Sequence, residues 1–228
     1  MEPRILTIDL ETAGVNARNS DLGFVIIFGY KWLHEKEAKA IMIDRKSLKT
    51  FDDNKLLTQA SQILQRADLV IGHYASMFDR RFFSGRLLIN KLPPVPPTKM
   101  RDTCIIARSA GKFSSNRLKH LAKILNLKNQ KLESGWPEAW FKVMQGNMKV
   151  LKEMVEYCKG DVLATEELYL TLKPFDNPHP RMVMNRSLCG VCGGEINYHG
   201  YAYVGQLRYR QFQCKSCGKW DRERKAAE

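Results

Sequence analysis

The sequence predicts a mixed α/β protein: one sheet of three antiparallel strands followed by parallel ones, flanked by helices, with a small β module carrying cysteines behind it. Three observations point there. Apolar runs rich in β-branched residues crowd the start of the chain, strand-like and helix-like segments then alternate, and four cysteines fall in two close pairs after a proline-rich break.

RILTIDL (4–10) is the first strand, GFVIIFGYKWL from Gly23 the second and AKAIMID from Ala38 the third. Strands this close in sequence favour an antiparallel meander. From Asp52, DDNKLLTQASQILQRA sets Leu56, Leu57, Ala60, Ile63, Leu64 and Ala67 at helical spacing behind an Asp cap. ADLVIGH reads as a buried strand, and apolar residues recur at helical intervals from Asp79 to Ile89, so the sheet extends in parallel. Pro93, Pro94, Pro96 and Pro97 forbid regular structure before RDTCIIARSA resumes as a helix capped by Asp102. SSNRLKHLAKILNL is a further helix with Leu118, Leu121, Ala122 and Leu125 on one face and His120 on the polar side. A long helical pattern runs from about Asn147 to Leu172, and Pro174, Pro178 and Pro180 end it. Residues 1–174 are therefore expected to form one domain, 175–186 a linker and 187–228 the cysteine module.

The 228 residues suffice for one sizeable core and a small appended module. Lys and Arg number 37 against 24 Asp and Glu, a net charge of +13, and the pI is about 9.5. Such a surplus suits a partner rich in phosphate. No export signal opens the chain, and the longest apolar run, near Gly23 to Tyr30, falls far short of the ~20 residues of a membrane helix. A cytoplasmic protein with no membrane partner is expected. Cys104 and Cys158 lie in apolar or helical contexts, which fits reduced thiols better than disulfides.

Four carboxylates are placed to converge: Asp9 and Glu11 in ILTIDLET, Asp79 in HYASMFD and Asp161 in YCKGD. Asp9 and Glu11, two apart on a strand, emerge on the same face. Two acids on an otherwise apolar face are costly in a plain core, and a metal removes that objection. The plain alternative is an exposed strand end, with DLET a turn and helix cap. Tyr157 and Asp161 stand one helical turn and roughly 40° apart, so the phenol can reach a water held by a metal on Asp161. Two divalent ions about 4 Å apart can clamp the attacking and leaving oxygens of a phosphoryl displacement, and Mg2+ takes the oxygen ligands of Asp and Glu. Asp102 is read as a cap rather than a fifth ligand.

DLE near the start, FD after an apolar strand and YxxxD on a late helix, in this order, resemble the DEDD exonucleases of ribonuclease H-like fold. LVIGHYASMFDRRFF is similar to their second motif and YCKGDVLATEELYLTL to their third, and the likeness covers about residues 3–174. Tyr157 matches the tyrosine subgroup; the histidine subgroup would carry His where this chain has Glu156. The resemblance implies that Asp9, Glu11, Asp79 and Asp161 hold two Mg2+ or Mn2+ and that Tyr157 positions the attacking water. It also implies 3′-to-5′ hydrolysis of terminal phosphodiesters to nucleoside 5′-monophosphates, with single-stranded DNA 3′ ends favoured, in replication, proofreading or repair. Many relatives carry Asn five residues before the second-motif Asp, where this chain has Tyr74, a residue that would stack on a base or face the core. The alternatives are an RNA-processing exonuclease and a non-catalytic nucleic-acid-binding or adaptor protein on the same fold. A structure-selective endonuclease on a related fold fits the FD and YxxxD motifs poorly.

Cys189, Cys192, Cys214 and Cys217 spell C-x2-C-x21-C-x2-C, with a glycine after the second Cys of each pair as knuckle turns require. Four thiolates satisfy one structural Zn2+ with no open position; a redox pair is the competing use. The segment resembles a zinc ribbon, which at about forty residues would need the metal to fold. Residues 181–228 hold nine Lys and Arg against four Asp and Glu. Arg208, Arg210, Lys215, Lys219 and Trp220, among Tyr198, Tyr201, Tyr203, Tyr209, Phe212, Arg222 and Arg224, are read as nucleic-acid contacts, because bases stack on aromatics and phosphates pair with cations. The tyrosines could equally form the ribbon's own small core, and the module could dock on a polymerase or another replication or repair protein.

Overall fold

The computed structural model describes residues 3–129 and 137–223. Its main sheet comprises β1 (Ile5–Gly14), β2 (Gly23–Trp32), β3 (Lys39–Met42), β4 (Leu69–Gly72) and β5 (Lys99–Asp102), in the spatial order β3-β2-β1-β4-β5. The first three pair antiparallel, whereas β4 runs parallel to β1 and β5 parallel to β4, the mixed sheet expected from the sequence. β5 has no local strand pattern: its four polar-rich residues follow the proline stretch and are strand only because they pair with β4 at the sheet edge.

Helices cover both faces. On one, Leu6, Ile8 and Leu10 of β1 pack with α2 (Asn54–Leu64) and α3 (Asp79–Ile89) through Leu57, Ala60, Phe82 and Phe83. On the other, Ile5, Leu69 and Ile71 pack with α4 (Thr103–Ala110), α5 (Leu118–Ile124) and α7 (Met148–Leu172) through Ile106, Leu121, Leu168 and Tyr169. Burying each such Leu or Ile contributes roughly 1.5–3 kcal/mol. Two short helices, α1 (Arg45–Thr50) and α6 (Pro137–Met144), were not anticipated, although Pro at the first helical position of α6 is a favoured start.

α7 determines where the chemistry falls. Asn147 caps it, its Oδ1 accepting from Lys149 N and Val150 N at 3.1 and 3.2 Å, and its buried stripe includes Leu151, Met154, Cys158, Val162 and Leu168. Asp9 pairs with Gly29 of β2, and a Cβ at Gly29 would lie 2.5 Å from Cys158 Sγ and 3.1 Å from Val162. The missing side chain thus lets α7 settle against the strand face that carries the acids.

Two expectations change. Of the two acids before α2, Asp52 takes the Asn54 N–H at 3.0 Å, whereas Asp53, in the cap position, does not cap: it is fully buried and accepts from Val25 N (2.8 Å), Arg86 Nε and Nη2 (3.0 and 2.9 Å) and Asn90 Nδ2 (3.0 Å), tying α2, β2 and α3 together. The helix expected from Ser114 begins only at Leu118, because Ser115 Oγ takes the Arg117 N–H (3.3 Å) in a local bond that competes with helix.

Beyond α7 a second sheet holds β6 (Ile196–Val204), β7 (Leu207–Cys214) and β8 (Trp220–Arg222), all antiparallel. The stretch between the two sheets is pinned at both ends. Asp176 is buried, pairs with the Arg101 guanidinium of β5, and accepts from Lys219 Nζ (3.0 Å) through its main-chain oxygen. Tyr169 Oη lies 2.7 Å from His179 Nε2. Among the described residues no helix is long and apolar enough to cross a membrane.

Candidate active site and cysteine centre

Asp9 and Glu11 lie within β1, just before a bulge between Glu11 and Thr12, and Trp140 of α6 donates its Nε1 hydrogen to Thr12 O at 2.8 Å. Asp161 comes from α7. Carboxylate oxygens of Asp9, Glu11 and Asp161 all lie within 4.8 Å of one another, Glu11 and Asp161 buried and Asp9 half-buried. Three anions this close repel strongly away from bulk water, and a cation turns the repulsion into attraction. An all-oxygen donor set fits Mg2+ or Mn2+ better than a softer ion.

Asp79 stands beside this trio rather than inside it. At the start of α3 it is buried, and its Oδ1 accepts from the N–H of Leu10, the residue between Asp9 and Glu11, at 3.0 Å. Burial pushes its carboxyl up to about 7, against the hydrogen bonds from its own N–H and that of Leu10. Tyr157 is buried on α7 one turn before Asp161. Sequence reading missed Cys158: its Sγ lies 3.4 Å from Asp9 Oδ2, and burial, reinforced by the nearby acids, holds the thiol well above its usual range. It is a neutral S–H donor steadying Asp9, and its position three before Asp161 on the same helix was the available signal.

Asp9 and Asp161 open onto a cleft of about 850 Å³ whose walls include His73, Tyr74, Arg108, Arg117 and Lys119. Of the two orientations open to Tyr74, the structure shows the outward one, with the residue 47% exposed. Asp102 caps α4 through Cys104 N (3.0 Å), as expected, and stays clear of the acid trio.

The sulfurs of Cys189, Cys192, Cys214 and Cys217 also gather within 4.8 Å, all four being free thiols. Cys189 and Cys217 Sγ are 3.8 Å apart and Cys192 and Cys214 Sγ 3.5 Å, close to the roughly 3.8 Å edge of a tetrahedron with ~2.3 Å Zn–S bonds. Burial opposes ionisation of Cys214, but the N–H groups of Cys217 and Ser216 outweigh it and bring the thiol down to about 7. Cys192 and Cys217 are raised, first by burial. Cys214 is therefore the readiest to ionise, whereas Cys192 and Cys217 would need a cation beside them to do so, which is consistent with a zinc site.

On the second sheet Arg208 lies over Tyr201 (4.9 Å to the ring centroid) and Arg210 over Tyr198 (3.9 Å), with Arg208, Arg210 and Trp220 exposed. Lys215 is exposed and paired with Glu195 at 2.9 Å. Lys219 departs from expectation. It is buried, its ammonium spent on Asp176 O, so it is a structural tie and not a surface contact for nucleic acid. Arg224 lies outside the described residues.

A family model of the RNase_H superfamily, RNase_H_2, matches residues 6–173, and the chain belongs to that superfamily, which supports nuclease chemistry in general. Among solved structures the chain is similar to the family B DNA polymerase from the hyperthermophilic archaeon Pyrobaculum calidifontis, with a TM-score of 0.58 and 16% identity. The match covers 76% of this chain and 25% of the polymerase chain, and at that identity it shows a shared fold. No curated protein matches in sequence.

Proposed function

We propose that this chain is a metal-dependent 3′-to-5′ exonuclease that hydrolyses the terminal phosphodiester of nucleic acid, single-stranded DNA favoured, releasing nucleoside 5′-monophosphates. The observation that carries this reading is the convergence of Asp9, Glu11 and Asp161 within 4.8 Å beside a cleft with Arg108, Arg117 and Lys119 in its walls. Those three acids, with Asp79 flanking them, would hold two Mg2+ or Mn2+. Bound there, the ions would lower the pKa of a water and offset charge on the phosphate oxygens. The chain's own residues do the rest. Tyr157 orients the attacking water through its phenol, Cys158 fixes the rotamer of Asp9, and the basic groups draw in and seat the phosphates.

The direction of attack rests on the likeness of DLE, FD and YxxxD to the exonuclease motifs. In this reading 1–174 is the catalytic domain and 187–228 a zinc ribbon, whose Arg208 and Arg210, interleaved with tyrosines, grip single-stranded substrate. A fold shared with a DNA polymerase is compatible with work on DNA ends, in replication or repair. The test is digestion of a 5′-labelled single strand in Mg2+ or Mn2+. The expected result is shortening from the 3′ end in single-nucleotide steps, abolished by Asp9→Ala; intact DNA and RNA in both ions would overturn the reading.

A further inference from the structure

Four described non-glycine residues have positive φ: Phe51, Tyr74, Lys91 and Asn126. Three of them close helices, where a left-handed residue is an ordinary ending: Phe51 after α1, Lys91 just past α3 and Asn126 just past α5. Tyr74 (φ 62°) closes none, for it follows β4 and opens the loop leading to Asp79. A bulky residue in that region is strained and persists only where its surroundings over-determine it. Here a buried carboxylate does so, together with the N–H groups of Met77 and Phe78, which donate to Tyr74 O at 3.1 Å each. Asp102 accepts from Tyr74 N and Ser76 N at 2.9 Å each and from Ser76 Oγ at 2.5 Å, while also capping α4.

This fixed backbone leaves the Tyr74 ring about half exposed in the wall of the cleft that also holds Asp9 and Asp161. A tyrosine held in strain and half in water contributes less to the fold than a buried one would. Nucleobases stack on such rings, and Arg108 and Arg117 in the same cleft offer charge for the phosphates on either side.

We infer that Tyr74 is a stacking platform for one of the last two bases of the strand entering the acid site, so the site takes an unpaired end. The inference rests on the exonuclease reading for the identity of the strand. It makes Tyr74 a determinant of specificity.

The test is equilibrium binding by the full-length, zinc-loaded chain. The probes are single strands with non-hydrolysable final linkages and 2-aminopurine at the last or the penultimate position, together with the same strands abasic at that position. Wild type and Tyr74→Phe should quench the fluorescence at one of the two positions. Tyr74→Leu should lose the quenching and bind about 5- to 150-fold more weakly. Wild type should bind the abasic strand as weakly as Tyr74→Leu binds the normal one, and Tyr74→Leu should not distinguish the two strands, a pattern that general loosening of the loop would not produce. Tyr74→Asn, which tolerates the left-handed region, should raise the melting temperature by roughly 2–4 °C while weakening binding. Equal wild-type affinity for normal and abasic strands, quenching unchanged in Tyr74→Leu, or no binding of any strand would overturn the inference. Tyr74-dependent quenching in a protein that cuts no strand would instead sink the exonuclease reading and leave the platform standing.

Discussion

Asp161 reaches Asp9 and Glu11 because a 25-residue helix lies across a five-stranded sheet, supported by two extensive apolar clusters. Cys214 reaches Cys189 in a three-stranded module whose buried apolar cluster, among the described residues, is Cys189, Val191 and Cys214, with three partly buried neighbours. The first centre is assembled by packing, so on the proposed reading an ion there would serve chemistry. The second has almost no core besides its own sulfurs, so an ion there would serve the fold. The chain thus offers hard oxygen donors beside an open cleft and soft sulfur donors in a closed cluster.

The largest effect is expected at the second centre. Replacing Cys189 and Cys214 together by Ser should remove zinc, forfeiting an apparent ~10–16 kcal/mol of metal binding, and limited proteolysis should then trim the module back towards Asp176. The α/β body should keep its own melting transition in calorimetry; loss of both together would mean that the two regions fold as one. Next comes Asp161→Asn, which should lower cleavage about 10³-fold, since metal-based stabilisation supplies several kcal/mol. Circular dichroism should show an intact fold and zinc analysis an unchanged content, because the site is organised before metal binds. Third, Asp53→Ala leaves Arg86 buried without its carboxylate and should cost the body about 3–5 kcal/mol in denaturant unfolding, with zinc again retained.

The smallest effect is one of pH on the metal-free body. Asp79 titrates at about 7 when folded and near 4 when unfolded, so the folded state holds the extra proton between those values. Its contribution to stability is complete below about pH 4 and is lost as pH rises through 7. Melting temperatures from pH 5 to 8 should therefore fall more steeply in wild type than in Asp79→Asn; parallel curves would show that Asp79 does not titrate there.

Much of this was legible in the chain. The three opening strands, α2, α3 and α7 announced themselves by periodicity, and Asp9, Glu11 and Asp161 by spacing on those elements, because each depends on local pattern. What could not be read depends on partners distant in sequence. β5 exists through pairing with β4, and Cys158 meets Asp9 only because Gly29 admits α7. Asp79 has a motif of its own beside those of the other acids, yet the start of α3 aims it at Leu10 N. Lys219 sits in a basic run that looks like a surface, and nothing local reveals that Asp176 O claims it. The aromatic position of Tyr74 was visible from the start; its left-handed backbone, set by Asp102 28 residues on, was not.

The most direct test of a preformed acid site beside a separate sulfur site is a Mn2+ titration of the zinc-loaded protein followed by electron paramagnetic resonance. Wild type should bind two Mn2+ per chain, and Asp9→Ala should lose that binding while keeping its zinc and its melting temperature. Mn2+ binding that is absent in wild type, or unchanged by Asp9→Ala, would contradict the account.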